Sequence, residues 1–283
     1  MSKLSTSMPF ESFTTRYRPI NALWLAHLSK LAYPRTSGGQ PDLTTIRKKL
    51  TGLDPKFSEV EGFNTKSSQA VVIKHEDFVV VSFRGTDEIG DWLDNLNSVA
   101  EPGPLGNVHR GFFRALMDIW PAMKTTIRHF KRTSEDTPDR PLWLTGHSLG
   151  GALATLAAAS LVEGDEPFYG LYTYGCPRVG DRTFARFFNV EAKQRTFRFQ
   201  NNSDIVTRVP SRLMGYSHVG SFLYISDDGQ LSGDLGRWYR FLDTVKGVTS
   251  DIGDLGWDAI KDHNIDDYIQ AIGAFGDRDP EAT

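Results

Sequence analysis

The chain has 283 residues, a formal net charge of −3, 24% charged and 39% hydrophobic residues, and a single cysteine, Cys176. This near-neutral balance excludes the clustered Lys/Arg of a nucleic-acid-binding domain, and no apolar run reaches the about 20 residues that cross a bilayer, so no transmembrane segment is expected. The opening "MSKLSTSMPFESFTTRYRP" has no apolar core of the kind a secretory signal needs, and one cysteine forms no intrachain disulfide; the expectation is a cytoplasmic protein, or one exported without a signal peptide. A chain of this length buries roughly three quarters of the surface it exposes unfolded, enough for one large core.

In chain order, "NALWLAHLSKLAY" (21–33) places apolar residues at helical spacing and predicts an amphipathic helix. "AVVIKHEDFVVVSF" (70–83) is two β-rich runs around a polar "KHED" turn, a hairpin. In 87–106, Ile89, Trp92, Leu93, Leu96 and Val99 fall at i, i+3, i+4, i+7 and i+10, one apolar helical face that ends at the glycines and prolines of 102–106. A long helical stretch follows over 108–132, interrupted or kinked at Pro121. Strand 141–145, helix 149–162, strand 170–175, helix 181–189, strand 196–201 and strand 221–226 complete the pattern. Strands alternating with helices predict an α/β fold, a mostly parallel sheet covered on both faces. No linker-like composition divides the chain, so 1–283 reads as a single domain.

The strongest local signal is "WLTGHSLGGALATLAAAS" (143–160), with Gly146-His147-Ser148-Leu149-Gly150 between a strand and an alanine-rich helix. A tight strand-to-helix turn needs small flanking residues and pushes the central serine out at the carboxyl end of the sheet. Ser148 is therefore the candidate nucleophile. The amide of Leu149 points from the helix N-terminus towards any oxyanion formed there. His147 adjoins the serine in sequence, but the turn sends the two side chains apart, and it reads as a packed histidine.

A serine of this type needs a carboxylate leaving a later strand and then a histidine. Asp204, in "TFRFQNNSDIVTRVP", lies just past a strand; Asp181 reads as a helix N-cap, and Asp227 and Asp228 as a polar turn. Two histidines follow Asp204. His218 precedes the run "VGSFLYI" and so stands where a strand begins, whereas sites in parallel sheets form where strands leave. His263, in "DAIKDHNIDDYIQAI", lies on a polar stretch ahead of a helical pattern. Placement favours His263, with a satisfied structural histidine as the alternative for either.

The chain resembles the class 3 lipases of the α/β-hydrolase superfamily, which include triacylglycerol lipases of filamentous fungi. The resemblance spans about residues 65–270 and rests on "VVVSFRGT", "VHRGFFRAL", "LTGHSLGGALATLAA", "TYGCPRVGD", "NNSDIVTRVP", "GYSHVG" and "DHNIDDY", in family order. It implies an α/β-hydrolase fold, a Ser148–His263–Asp204 triad with His263 as base, and a His218 that is not the base. The spacing from His263 to Tyr268 is longer than in some fungal members. The resemblance makes Thr86, in "RGTD", the second oxyanion donor beside Leu149. It also makes 87–106 a lid over the acyl pocket, with Ile89, Trp92, Leu93 and Leu96 on its apolar face; a helix packed permanently in the core is the competing reading.

The function expected is a serine carboxylester hydrolase, foremost a triacylglycerol lipase working through an acyl-enzyme. A phospholipase A1 or soluble-ester esterase is the alternative, and a non-catalytic lipase-like binding protein the alternative of a different class. No metal cluster or dinucleotide fingerprint is present in the sequence, so no cofactor and no metal are expected. The expected partner is an acyl-ester lipid, met by a monomer in peripheral contact with a lipid–water interface.

Overall fold

A computed structural model describes residues 9–86, 89–94, 99–134, 137–227, 229–233 and 261–275. The elements in chain order are α1 (Pro19–Leu31), α2 (Leu43–Leu53), β1 (Phe57–Asn64), β2 (Gln69–His75), β3 (Val79–Phe83) and α3 (Ile89–Asp94). Next come β4 (Ala100–Gly103), β5 (Gly106–His109), α4 (Arg110–Met117), α5 (Trp120–Lys131), β6 (Leu142–His147), α6 (Leu149–Glu163) and β7 (Gly170–Tyr174). The remainder are β8 (Gly180–Asp181), α7 (Arg182–Ala192), β9 (Thr196–Asn201), β10 (Tyr216–Ser217), β11 (Ser221–Ile225), β12 (Leu231–Gly233) and α8 (Ile265–Phe275).

Valine and isoleucine dominate β2 and β3, residues whose branched side chains suit a buried pleated surface. These strands form the expected antiparallel hairpin, Ala70 opposite Phe83 and Lys74 opposite Val79. From β3 onward the sheet is parallel through β6, β7, β9 and β11, while β1 and β12 close its two edges antiparallel. The order is β1-β2-β3-β6-β7-β9-β11-β12, and a smaller sheet runs β10-β8-β5-β4.

Alternation along the strands sends successive side chains to opposite faces and so makes two cores. Val79, Val81 and Phe83 pack with α4, α5, α6 and α7, whereas Val80, Trp143, Tyr172 and Phe199 pack with α1, α2 and α8. The mostly parallel sheet with helices on both faces is the expected architecture. Helix α6 is buried along almost its whole length, and its alanines let it lie close against β6 and β7.

Two expectations shift, and two elements come without a sequence signal. The continuous helix over 108–132 is strand β5 followed by two helices: α4 ends at Met117, and Pro121 sits in the first turn of α5, where its missing N–H is harmless. Residues 100–109 form the β4–β5 hairpin, so the second half of the 87–106 stretch belongs to the smaller sheet. Helix α2 and strand β1 carry no strong sequence signal; α2 buries only Ile46 and Leu50, with Asp42 accepting from the Thr45 amide at its start. No helix among the described residues is long and apolar enough to cross a membrane.

Candidate active site

One residue, Ser148, separates the end of β6 from the start of α6, and it holds φ +60°, ψ −132°. That conformation is strained for a residue with a side chain and persists because the surroundings fix it. The Ser148 amide donates to the Tyr174 carbonyl at 2.9 Å. A Cβ on Gly146 would strike the backbone of Gly150, and one on Gly150 the Phe83 carbonyl, so both flanking positions demand glycine for close approach. Ser148 is fully buried, does not cap α6 with its side chain, and its Oγ has no hydrogen-bond partner among the described residues. Leu149 opens α6, whose first amides have no carbonyl within the helix to bond.

Asp204 follows β9 and caps a short 3-10 turn, Ile205–Arg208, by accepting from the Val206 amide at 2.9 Å through Oδ1. His263 Nδ1 lies 2.8 Å from Asp204 Oδ2 and 3.0 Å from Oδ1, and the Tyr268 hydroxyl donates to Oδ2 at 2.6 Å. Asp204 is fully buried, and burial alone would push its carboxyl up. The neighbouring His263 and the hydrogen bonds from His263 and Tyr268 outweigh burial and hold the carboxyl below its usual range. An ionised carboxylate only accepts, so His263 carries its proton on Nδ1 and leaves Nε2 as the basic atom. That Nε2 is buried and, like Ser148 Oγ, has no partner among the described residues. Two buried polar atoms without a partner among the described residues, a hydroxyl and a basic nitrogen, could exchange a proton, and such bonds commonly tighten only when substrate is bound.

Gly175 brings the pieces together. It follows Tyr174, which holds Ser148, and it has φ +59°; a Cβ there would lie 2.7 Å from Asp204 Oδ2 and from Cε1 and Nδ1 of His263. The segment that carries His263 is laced to the loop that carries Asp204: Asp262 accepts from the Ser203 amide and Asn202 Nδ2, each at 3.1 Å, and its carbonyl accepts from Asn201 Nδ2 at 2.9 Å. Helix α8 starts at Ile265, so Tyr268 falls in its first turn and reaches both Asp204 and the Asn201 amide despite the longer spacing from His263. Sequence reasoning noticed Tyr268 only as a spacing and missed Asp262. The repeated acid–amide pairing between "NNSD" and "DHN" is the signal that was available.

The other histidines and acids fall elsewhere. His218 stands at the N-terminal end of β11, which is parallel to β9, and donates Nε2–H to the Thr207 carbonyl at 2.7 Å. Burial first, then the Arg198 and Arg178 charges, hold its pKa well below the usual value, so it braces the acid loop as a neutral ring. His147 is occupied on both nitrogens. Asp181 caps α7 through the Phe184 amide at 2.7 Å, as expected. Asp227 lies in a turn; Asp228 is outside the described residues.

Thr86 is half-buried, three residues beyond the end of β3. The preceding Gly85 passes so close to the elbow that a Cβ on it would lie 2.7 Å from the His147 carbonyl and 3.0 Å from Ser148 Cβ. The Thr86 loop therefore abuts the serine. In α3, Leu93 is buried against Ile205, Val206 and Val209 of the acid loop, Ile89 and Trp92 pack on that cluster, and Trp92 stacks on Phe112 at 6.0 Å. Leu96 is outside the described residues, and Val99, expected on the same apolar face, is exposed because it leads into the β4–β5 hairpin. Among the described residues no three His, Cys, Asp or Glu side chains gather as metal ligands.

Residues 80–214 match the lipase (class 3) family. The chain is 33% identical over 186 residues to a secreted mono- and diacylglycerol lipase 1 of Fusarium solani, covering 64% of this chain and 54% of that protein. It is 30% identical over 182 residues to secreted mono- and diacylglycerol lipase A of Penicillium cyclopium, covering 62% and 57%. The chain thus spans little more than half the length of these curated relatives. A solved triacylglyceride lipase of Rhizomucor miehei superposes with a TM-score of 0.63 at 27% identity, covering 76% of this chain and 83% of that one. The relatives named as secreted point to export and overturn the expectation of a cytoplasmic protein or of export without a signal peptide. A single cysteine, which forms no intrachain disulfide, is a weak guide to compartment because an exported fold does not require a disulfide. The family match, the fold match and the serine elbow inside the matched stretch agree: this part of the chain is similar in sequence and in fold to the class 3 lipases.

Proposed function

We propose that this chain is a serine carboxylester hydrolase that cleaves acyl esters of glycerol, acting as a single unit over residues 1–283. The observation that carries the reading is the buried Asp204–His263 hydrogen bond, which leaves Nε2 as the basic atom and, like Ser148 Oγ, without a partner among the described residues. In this scheme Ser148 Oγ attacks the ester carbonyl carbon while His263 Nε2 takes its proton, and the Leu149 and Thr86 amides hold the oxyanion. The imidazolium then protonates the departing glycerol oxygen as the C–O bond breaks. A water, deprotonated by the same nitrogen, attacks the acyl-enzyme and releases the fatty acid. Asp204 fixes the tautomer and stabilises the charged ring.

The names of the relatives support glycerides as the substrate class. Helix α3 is the proposed lid. Its Ile89, Trp92 and Leu93 cover apolar residues of the acid loop next to a serine that solvent does not reach, and Leu96 continues the same sequence face. Swinging it aside exposes an apolar patch, which costs free energy in water and much less at a lipid surface, where the monomer would make peripheral contact.

Release of fatty acid is measured from tri-, di- and monoacylglycerol emulsions, a phospholipid and a dissolved short-chain ester. Glyceride hydrolysis that rises steeply once substrate exceeds its solubility, and that Trp92→Ser blunts more than hydrolysis of the dissolved ester, is the expected result. Preference for the phospholipid or for the dissolved ester would transfer the assignment to a phospholipase A1 or an esterase. No turnover on any of them would make the chain a binding protein.

A further inference from the structure

Tyr33, just beyond α1, and His147, the last residue of β6, form a hydrogen-bonded pair that the reaction scheme leaves unused. His147 Nε2 lies 2.7 Å from the main-chain carbonyl of His263, and His147 Nδ1 lies 2.7 Å from the Tyr33 hydroxyl. A carbonyl only accepts, so Nε2 carries the proton; the Nδ1 lone pair then takes the Tyr33 O–H, and one tautomer is fixed at both ends. The His147 and His263 rings stand 4.4 Å apart.

We propose that the Tyr33–His147 pair is a positioning device for the base, holding the His263 carbonyl against the serine elbow so that Nε2 stays aimed at Ser148. The inference rests on His263 being the base. On its far side the base segment is tied to the acid loop through Asp262 and Tyr268. On its near side His147 supplies a hydrogen bond from the residue adjoining Ser148, so nucleophile and base share one rigid frame. The hydroxyl of Tyr33 also packs on Gly85, which precedes Thr86, and so touches the loop that carries the second oxyanion donor.

Neutrality matters for such a device, because a charged ring at this distance would oppose the imidazolium that the base becomes during turnover. Burial foremost, and the proximity of His263 next, push the His147 pKa down to about 3. It holds the carbonyl with a dipole and adds no positive charge.

The test compares His147→Gln, whose side-chain amide can still donate to the His263 carbonyl, with His147→Met, which fills similar space and cannot. Tyr33→Phe removes the tautomer-fixing hydroxyl. Each variant is checked by circular dichroism and thermal melting before kinetics. His147→Met is expected to lower kcat by about 10²-fold with KM within about threefold, the size of effect that a misplacement of roughly 1 Å produces. His147→Gln is expected to recover kcat to within about tenfold of the parent, and Tyr33→Phe to fall between. The far-downfield proton NMR signal of His263 Nδ1–H should persist in the parent and in His147→Gln and shift or broaden in His147→Met. Should His147→Met not fold, His147→Asn, whose shorter amide misses the carbonyl, takes its place in the comparison. A folded variant without the donor that keeps kcat within threefold of the parent overturns the positioning role, as does a glutamine variant no better than the methionine or asparagine one. His263→Ala separates the two levels: an active His263→Ala enzyme removes the base assignment itself, whereas an inactive one alongside an active His147→Met removes only the role of His147.

Discussion

Asp204→Asn is a demanding test of the proposed triad, because the structure dictates which way the new amide would point. Oδ1 accepts from the Val206 backbone amide and Oδ2 from the Tyr268 hydroxyl, and both face His263 Nδ1. In the variant one oxygen becomes an NH₂ group. Placed at the Oδ1 position it would set donor against donor at Val206, whose N–H cannot turn away. Placed at Oδ2 it meets the Tyr268 oxygen, which already accepts from the Asn201 amide and has a second lone pair to accept with once its O–H turns away. The amide nitrogen therefore takes the Oδ2 position and donates to His263 Nδ1, forcing the ring proton onto Nε2. A base with a proton already on Nε2 cannot accept one from Ser148, so kcat should fall by about 10⁴. KM should change little, because substrate is not bound by Asp204. The fold should hold, since shape is conserved and the loop ties through Asp262 are untouched, while melting should drop modestly because the carboxylate charge and the acceptor of the Tyr268 O–H are lost. The assay is steady-state hydrolysis of a dissolved ester over the pH range, together with the rate of organophosphate labelling of Ser148. A loss of less than about tenfold in a well-folded Asp204→Asn enzyme would refute this reasoning and move the acid role elsewhere; Asp228, outside the described residues, is the next residue to replace.

Ser148→Ala should remove nearly all turnover, leaving about 10³-fold over water, and mass spectrometry should find organophosphate only on the peptide carrying Ser148. Tyr268→Phe leaves Asp204 one hydrogen bond short and should cost about 1.5–3 kcal/mol in chemical unfolding while kcat stays within about tenfold. Gly175→Ala carries both a left-handed backbone, which costs about 1–2 kcal/mol for a residue with a side chain, and a methyl wedged against Asp204 and His263; kcat should fall at least about 10²-fold in whatever enzyme folds. His147 is held neutral in the fold but takes a proton near pH 6.5 when unfolded, so stability is full above that pH and declines below it, by about 1.4 kcal/mol per pH unit for this group. The urea midpoint measured from pH 7 to pH 4.5 should therefore fall less in His147→Gln than in the parent. Asp204 acts in the same direction over a lower pH range: its lowered pKa contributes stability above about pH 4 that is lost as pH falls through its folded value.

Local chemistry made part of this protein legible from its sequence. The valine-rich hairpin of β2 and β3, the alternation of strand and helix from β6 to β9, and the Gly146–Gly150 elbow are each determined within about 15 residues by side-chain branching, periodicity and the room that glycine provides. The position of Asp204 just past β9, and of Asp181 as the cap of α7, was readable from the runs of residues on either side. The strand at 108–109 was misread because an apolar residue beside an amphipathic helix looks the same in either conformation, and only pairing with β4 and β8 decides it. Choosing between His218 and His263 lay beyond spacing alone. That choice depends on β11 running parallel to β9, which leaves His218 at the far end of a strand, and on the contacts that lay the 262–268 segment across the acid loop. The same holds for Tyr33, Asp262 and the proton arrangement of His147, whose partners lie from 59 to 116 residues away. A side chain's tautomer, ionisation and aim are properties of the groups that surround it in space, and in this chain those groups are brought together only when the sheet and its loops close.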